Sequence, residues 1–172
     1  MLIEGMNMAN FEKMKSEDIQ ICTNIYLESF GHTKEEGLDV EGYLKSYIEN
    51  KNAKALVYKE SGNVVGFVTA MELPDMMEGI SYYIDILVVD KNMQKKGYGT
   101  SMINDFINNI SKEKPVWLIT RKSDVSNKLY SKTMIKFDDI GYYSYSPLIS
   151  RLNECIKEYE KEIDNMKKIL EG

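Results

Sequence analysis

Gln94-Lys95-Lys96-Gly97-Tyr98-Gly99-Thr100 is the segment whose residue types and spacing best suit binding chemistry. Its glycines permit a tight turn and close approach of the backbone to a ligand. The free amides of a helix's first turn converge on one point with the positive end of the dipole behind them. Such a point suits a phosphate, and Lys95 and Lys96 add positive charge. The loop is neither common nucleotide motif: it lacks GxxxxGK[ST] and the third glycine of the dinucleotide fingerprint. A GxG turn taken alone is more often a plain join between strand and helix, so its place in the chain carries the weight. Asp85 also needs an explanation. It stands inside the apolar run Ile80 to Val89, where an ionised side chain is costly unless paired or functional. Period-2 alternation puts it on the strand face of Leu87 and Val89.

The elements around these residues can be read from periodicity. Ile80 to Val89 is a strand continuous enough to be buried on both faces. From Gly97 the period switches, and Met102, Ile103, Phe106, Ile107 and Ile110 recur at helical spacing up to Ser111. Pro115 to Thr120 is again a strand, which makes a parallel crossover with the glycine loop at its first junction. Upstream, Asn10 to Lys15 predicts a strand, and Ser16-Glu17-Asp18 caps a helix through Ile19, Cys22, Ile25, Tyr26 and Phe30. After a polar break at Gly31 to Gly37, the stripe Val40, Tyr43, Leu44, Tyr47 and Ile48 predicts a second helix ending near Asn50. Ala53 to Lys59 and Val64 to Met71 form a hairpin around Ser61-Gly62-Asn63, and Pro74 to Gly79 is a loop. A helix from Ser123 or Asp124 to about Met134 and a strand around Ile140 to Tyr145 follow. The order predicts one α+β (α/β) domain around a mixed sheet flanked by helices.

Composition removes several classes of function. The 172 residues suit one domain, and 43% hydrophobic and 28% charged residues with only 11 glycines and 3 prolines exclude a collagenous or disordered chain. The longest clean apolar run, Ile86 to Val89, is far below the roughly 20 residues of a bilayer span, and no basic-then-apolar signal opens the chain. A soluble cytoplasmic protein with no membrane partner is expected. Net charge is −5, and the 22 basic residues include only Arg121 and Arg151 as arginines, so nucleic acid is not expected as a partner. Cys22 and Cys155 lie far apart, His32 is the single histidine and reads as a solvated loop residue, and no acidic cluster has metal spacing. No metal is expected, and both cysteines read as buried small hydrophobes.

Val89 precedes Gln94 at the spacing V-x(4)-[QR]-x-x-G-x-[GA], and Trp117-Leu118-Ile119 is followed by Asn127-Lys128-Leu129-Tyr130. This combination resembles the GNAT superfamily of acetyl-CoA-dependent N-acetyltransferases, over about Asn10 to Tyr145. The resemblance implies a GNAT-like sheet with central parallel strands that splay apart. It implies that the amides of Gln94, Lys95, Lys96, Gly97, Tyr98, Gly99 and Thr100 hold the pyrophosphate of acetyl-CoA. The strand edge at Leu87, Val88 and Val89 would pair with the pantetheine arm, Asn127 would contact the cofactor, and Tyr130 would lie near the thioester sulfur. A tyrosine is protonated at neutral pH and can hand its proton to a departing thiolate. The attacking amine must lose a proton, for which Asp85 is the first candidate base and Glu72 the reserve. For Asp85 a hydrogen-bonded structural role is equally open.

The implied activity is acetyl transfer to a primary amine by direct attack, without a covalent enzyme intermediate. Glu35, Glu36, Asp39, Glu41, Glu72, Asp75 and Glu78 on acceptor-side segments suggest a small cationic amine such as a polyamine or aminosugar, although a solvated acidic loop would look the same. The alternatives are a protein N-terminal or lysine acetyltransferase, and a noncatalytic acyl-CoA-binding module. Two departures from the family pattern stand out: Met134 to Phe137 lacks the usual glycine, and only one closing strand is readable. After Ser146-Pro147, the residues Ile149, Leu152, Ile156, Tyr159, Ile163, Met166 and Leu170 make a heptad seam. The expected division is a domain over residues 1–146 and an appended amphipathic helix over 147–172, through which a homodimer is expected.

Overall fold

The computed structural model describes residues 10–112, 114–120, 127–131 and 134. They belong to one compact unit, Met1–Ile135. The expected boundary at residues 146 and 147, the closing strand, the heptad helix and Cys155 lie outside the described residues.

The elements are β1 (Asn10–Lys13), α1 (Ile19–Phe30), α2 (Val40–Glu49), β2 (Ala53–Glu60), β3 (Asn63–Asp75), β4 (Gly79–Val89), α3 (Tyr98–Asp105), β5 (Val116–Leu118) and α4 (Asn127–Tyr130). The five strands lie in sequence order in one sheet, antiparallel from β1 to β4, with β5 parallel to β4. Alternation along the strands gives the sheet two apolar faces. On one face Cys22, Ile25 and Leu27 of α1 and Val40 and Leu44 of α2 pack on Ala55, Val57, Phe67 and Val88. On the other, Ile103 and Phe106 pack on Leu56, Val68, Ala70, Tyr82 and Ile84. Cys22 is fully buried, as expected of it. His32 follows the left-handed cap at Gly31, half exposed, with Nδ1 2.7 Å from Glu36 Oε2.

Three features depart from the sequence expectation. The β3–β4 hairpin is longer than expected, because β3 runs on through Pro74 to Asp75 rather than ending at Met71. The Glu72 amide bonds to Asn52 O on the β2 side. Two residues on, the missing N–H of Pro74 faces that same side, beyond the last β2 pair at Ala53 and Met71, so no ladder bond is lost. The helix expected to run to Ser111 is α-helical only to Asp105, and Phe106–Ile110 forms a π turn closed by the Ser111 amide on Phe106 O at 2.8 Å.

The third departure concerns Asp85. Thr69 pairs with Ile86 and Ala70 with Ile84, so Asp85 is the extra residue of a β-bulge. The bulge shifts the alternation by one. Leu87 packs on the α3 face with Ile103 and Phe106, and Val89 on that face with Met102. Asp85 instead reaches Tyr43 and Tyr47 of α2 on the opposite face. The expectation that it shares a face with Leu87 and Val89 is therefore corrected.

Candidate active site

Gly97 caps α3 with φ +93°, a conformation that side chains resist, and so aims the next three amides outward. These amides belong to Tyr98, Gly99 and Thr100, the first turn of α3. A Cβ on Gly99 would lie 3.2 Å from Leu129 Cδ2 and 3.9 Å from Val89 Cγ2, so this glycine lets α3 start against both β4 and α4. The Tyr98 hydroxyl donates to Glu60 at the end of β2, and that bond raises its pKa above the ordinary tyrosine value. Gln94 Nε2 donates to Val89 O at 3.1 Å, tying the loop to the strand it leaves. Lys95 and Lys96 are exposed, with no carboxylate partner among the described residues. Exposed lysines beside the free amides of a helix's first turn are an arrangement that could receive a phosphate group.

The second half of the site is a strand edge. β5 pairs with β4 only at Tyr82, Tyr83 and Ile84, and the pairing stops where the bulge begins. The Asp90 amide bonds to Val65 O, which turns the polar groups of Val88 and Ile86 toward β3 and those of Leu87 and Val89 toward the side that β5 has left. The expected splay is present, and its open edge runs into the glycine loop. An extended amide-bearing arm can pair there as an added strand.

Asp85 lies four residues before Val89, roughly 13 Å along the strand at 3.3 Å per residue. Its Oδ2 accepts from the Tyr43 hydroxyl and, at 3.1 Å, from the Tyr47 hydroxyl. Tyr43 is backed by the fully buried Thr69, whose Oγ1 lies 3.2 Å from the phenol. Burial, and then the bond to Asp85, push the Tyr43 phenol far above the ordinary tyrosine value; burial also raises Tyr47. Both phenols therefore keep their protons near neutrality and act as hydrogen-bond donors, with Asp85 Oδ2 as the acceptor. Asp85 is exposed, and its Oδ1 has no partner among the described residues.

Glu72 is placed differently. It pairs with Lys54 and accepts from the Tyr82 hydroxyl at 3.3 Å, on the face that carries Phe106. The structure therefore does not bring it to Asp85. Tyr130 ends α4 half-buried, next to Leu129, which packs in the α3-face core and beside Gly99; Asn127 opens the same helix. Other acidic residues grouped on the sequence have local partners. Glu36 binds His32 and the Thr33 amide, Asp39 caps α2 at Gly42, Asp75 holds the Met77 and Glu78 amides, and Glu78 pairs with Lys114. The Tyr43 and Tyr47 hydroxyls are the functional candidates that sequence reasoning missed. Their i, i+4 spacing was visible, but it reads as an apolar stripe.

The model of the acetyltransferase (GNAT) family matches residues 19–134, which takes in every element from α1 to α4. The chain belongs to this family. GNAT acetyltransferases use acetyl-CoA as acyl donor; the amides of Tyr98 to Thr100 could receive its pyrophosphate, and the Leu87 backbone with the Val89 amide could pair with its amide-bearing arm, the Val89 carbonyl being already taken by Gln94 Nε2 and Ser29 Oγ. No curated protein matches the chain. Among solved structures, a ribosomal-protein-alanine N-acetyltransferase from Brucella melitensis biovar Abortus 2308 is 19% identical, covers 81% of this chain and 100% of its own, and has a TM-score of 0.63. An aminoglycoside acetyltransferase from an uncultured soil metagenomic sample, in complex with trehalose, is 19% identical over 81% of this chain and 97% of its own, with a TM-score of 0.66. A predicted acetyltransferase with acetyl-CoA from Clostridium acetobutylicum is 17% identical over 80% of this chain and 96% of its own, with a TM-score of 0.59. The mixed sheet with flanking helices is thus a GNAT acetyltransferase fold, and no helix among the described residues is long and apolar enough to cross a membrane.

Proposed function

We propose that this GNAT acetyltransferase transfers acetyl from acetyl-CoA to the primary amine of a small cationic molecule, of the polyamine or aminosugar kind. The observation that carries this reading is Asp85. A carboxylate is held by one oxygen at the point where β4 and β5 part, on the strand that leads into the anion cradle. Bound acetyl-CoA supplies an acetyl group activated as a thioester. The amides of Gln94 to Thr100, with Lys95 and Lys96, hold its pyrophosphate; the backbone of Leu87 to Val89 pairs with its arm, and Asn127 contacts it from α4. Asp85 binds the ammonium form of the acceptor and takes its proton through Oδ1, so that a neutral amine attacks directly. Tyr130 donates a proton to the departing thiolate. Glu72 has no part in this reading, because Lys54 holds it on the other face. Cys22 is no nucleophile: burial pushes its thiol up to about 12, inside the α1–α2 core.

The test is release of free CoA thiol from acetyl-CoA across a panel of polyamines, aminosugars and peptides with a free N-terminus or lysine. Turnover of small amines, with a loss of about 10²- to 10⁴-fold in Asp85→Asn, is the expected result. Turnover of peptides alone would move the assignment to a protein acetyltransferase, and acetyl-CoA binding without thiol release on any amine would make the domain a binding module. The reading places the enzyme in the cytoplasm. We further propose that residues 1–146 form the acetyltransferase domain and that the seam from Ile149 to Leu170 makes a homodimer, since the sequence offers three heptads of apolar positions whose burial would be worth about 25 cal/mol per Å². Light scattering should give a dimer that Ile163→Glu, Met166→Glu converts to monomer; a monomeric native chain at tens of micromolar overturns the dimer.

A further inference from the structure

We propose that Tyr43 and Tyr47 are positioning residues that hold the Asp85 carboxylate in one orientation for proton transfer. The inference rests on the reading of Asp85 as the base. A bulge residue has no directly opposed partner in the ladder, so its backbone is less constrained than its neighbours'. An exposed aspartate at such a position would sample several rotamers if nothing held it. Here the constraint comes from outside the sheet. Tyr43 and Tyr47 stand one turn apart on α2, ring centroids 4.8 Å apart, and both hydroxyls converge on Oδ2. The helix beneath them is fixed by the buried Val40 and Leu44. Tyr43 is fixed again at its hydroxyl by Thr69, which donates to the phenol oxygen while the phenol donates to Asp85. Thr69 belongs to the register step that creates the bulge. The relay Thr69, Tyr43, Asp85 thus ties the carboxylate to the distortion that exposes it.

Because both phenols occupy Oδ2, they direct the free oxygen, Oδ1, to proton transfer. Burial and the bond to Asp85 keep the Tyr43 proton in place, so Tyr43 can orient the base but cannot replace it. Tyr47 lacks the bond that Thr69 gives Tyr43, which makes it the weaker holder.

The experiment is a double-mutant cycle in the full chain, with acetyl-CoA and the panel amine turned over fastest. Tyr43→Phe should lower kcat about 10-fold and Tyr47→Phe about 3-fold, each leaving the KM for acetyl-CoA within about 2-fold. In the Asp85→Asn background, where the amide oxygen still accepts from both phenols but no base remains, Tyr43→Phe should cost less than about 2-fold. An unchanged kcat in Tyr43→Phe, or an equal loss with and without Asp85, overturns the positioning role while the base survives. A fully active Asp85→Asn protein instead overturns the base reading, and the inference with it. Should Tyr43→Phe fold poorly, Tyr47→Phe and Thr69→Val carry the same cycle.

Discussion

Replacing Gly97 by alanine separates a cradle from a mere turn. The residue sits at φ +93° and ψ −9°, and a Cβ there meets nothing within 4 Å, so the cost is conformational rather than steric. For an L-residue the left-handed region costs roughly 1–2 kcal/mol. The loop from Gln94 to Gly97 is exposed, and outside the packed core it relaxes to a comfortable φ in the free protein. Ligand binding must then restore the aimed amides at that cost, which weakens acetyl-CoA by about 5- to 30-fold at 1.4 kcal/mol per tenfold. Gly99→Ala is the matched control. Its Cβ points at Leu129 and Val89, away from the amides, and needs the neighbour to give by only a few tenths of an ångström. Its affinity should stay within about 3-fold of native. Calorimetric titration of acetyl-CoA into both variants, beside their thermal midpoints, reads the contrast. Native affinity in Gly97→Ala with a lowered midpoint would show that the strain belongs to the fold and that the amides do not carry the pyrophosphate. An equal loss in both variants would refute the geometric argument.

Tyr130→Phe is expected to lower kcat roughly 10- to 1000-fold, the lower end allowing for water as a substitute acid, with little change in acetyl-CoA affinity; full activity under chemistry-limited conditions removes it from the mechanism. Alkaline titration followed by phenolate absorbance should find Tyr43 and Tyr47 ionising above the ordinary tyrosine value of 10.0. Since their folded values are raised above the unfolded one, the stability they confer is complete below pH 10 and is lost as pH rises through the folded values. Urea unfolding should therefore show a falling midpoint above pH 10, with a shallower decline in Tyr43→Phe, Tyr47→Phe, where Tyr58, Tyr82 and Tyr98, also raised, still contribute; a decline of equal size in that variant would assign it to those other groups.

The order of elements and the glycine loop could be read from the sequence because each depends on local signals. Met102, Ile103 and Phe106 face one side of a helix whatever else the chain does, and Gly97 at a strand-to-helix junction needs only its own neighbours to be recognised. The features read wrongly depend on partners in another strand. Pro74 reads as a terminator until the direction of the Glu72 amide shows that the missing donor would have faced no strand. Tyr43 and Tyr47 read as core residues because a tyrosine ring satisfies an apolar stripe whether or not its hydroxyl has a task. Asp85 is the sharpest case. Alternation placed it with Leu87 and Val89, and alternation counts residues on one strand while a bulge is a mismatch between two. Ile84 packs on the α3 face, so alternation from the start of β4 turns Asp85 to the α2 face, where two phenols and solvent can satisfy it. Without the extra residue Leu87 and Val89 would follow Asp85 to that face and leave the α3-face core. The bulge thus lets a charged residue and the apolar Leu87 and Val89 take opposite faces of one strand, and beyond it the Leu87 backbone and the Val89 amide face the side that β5 has left.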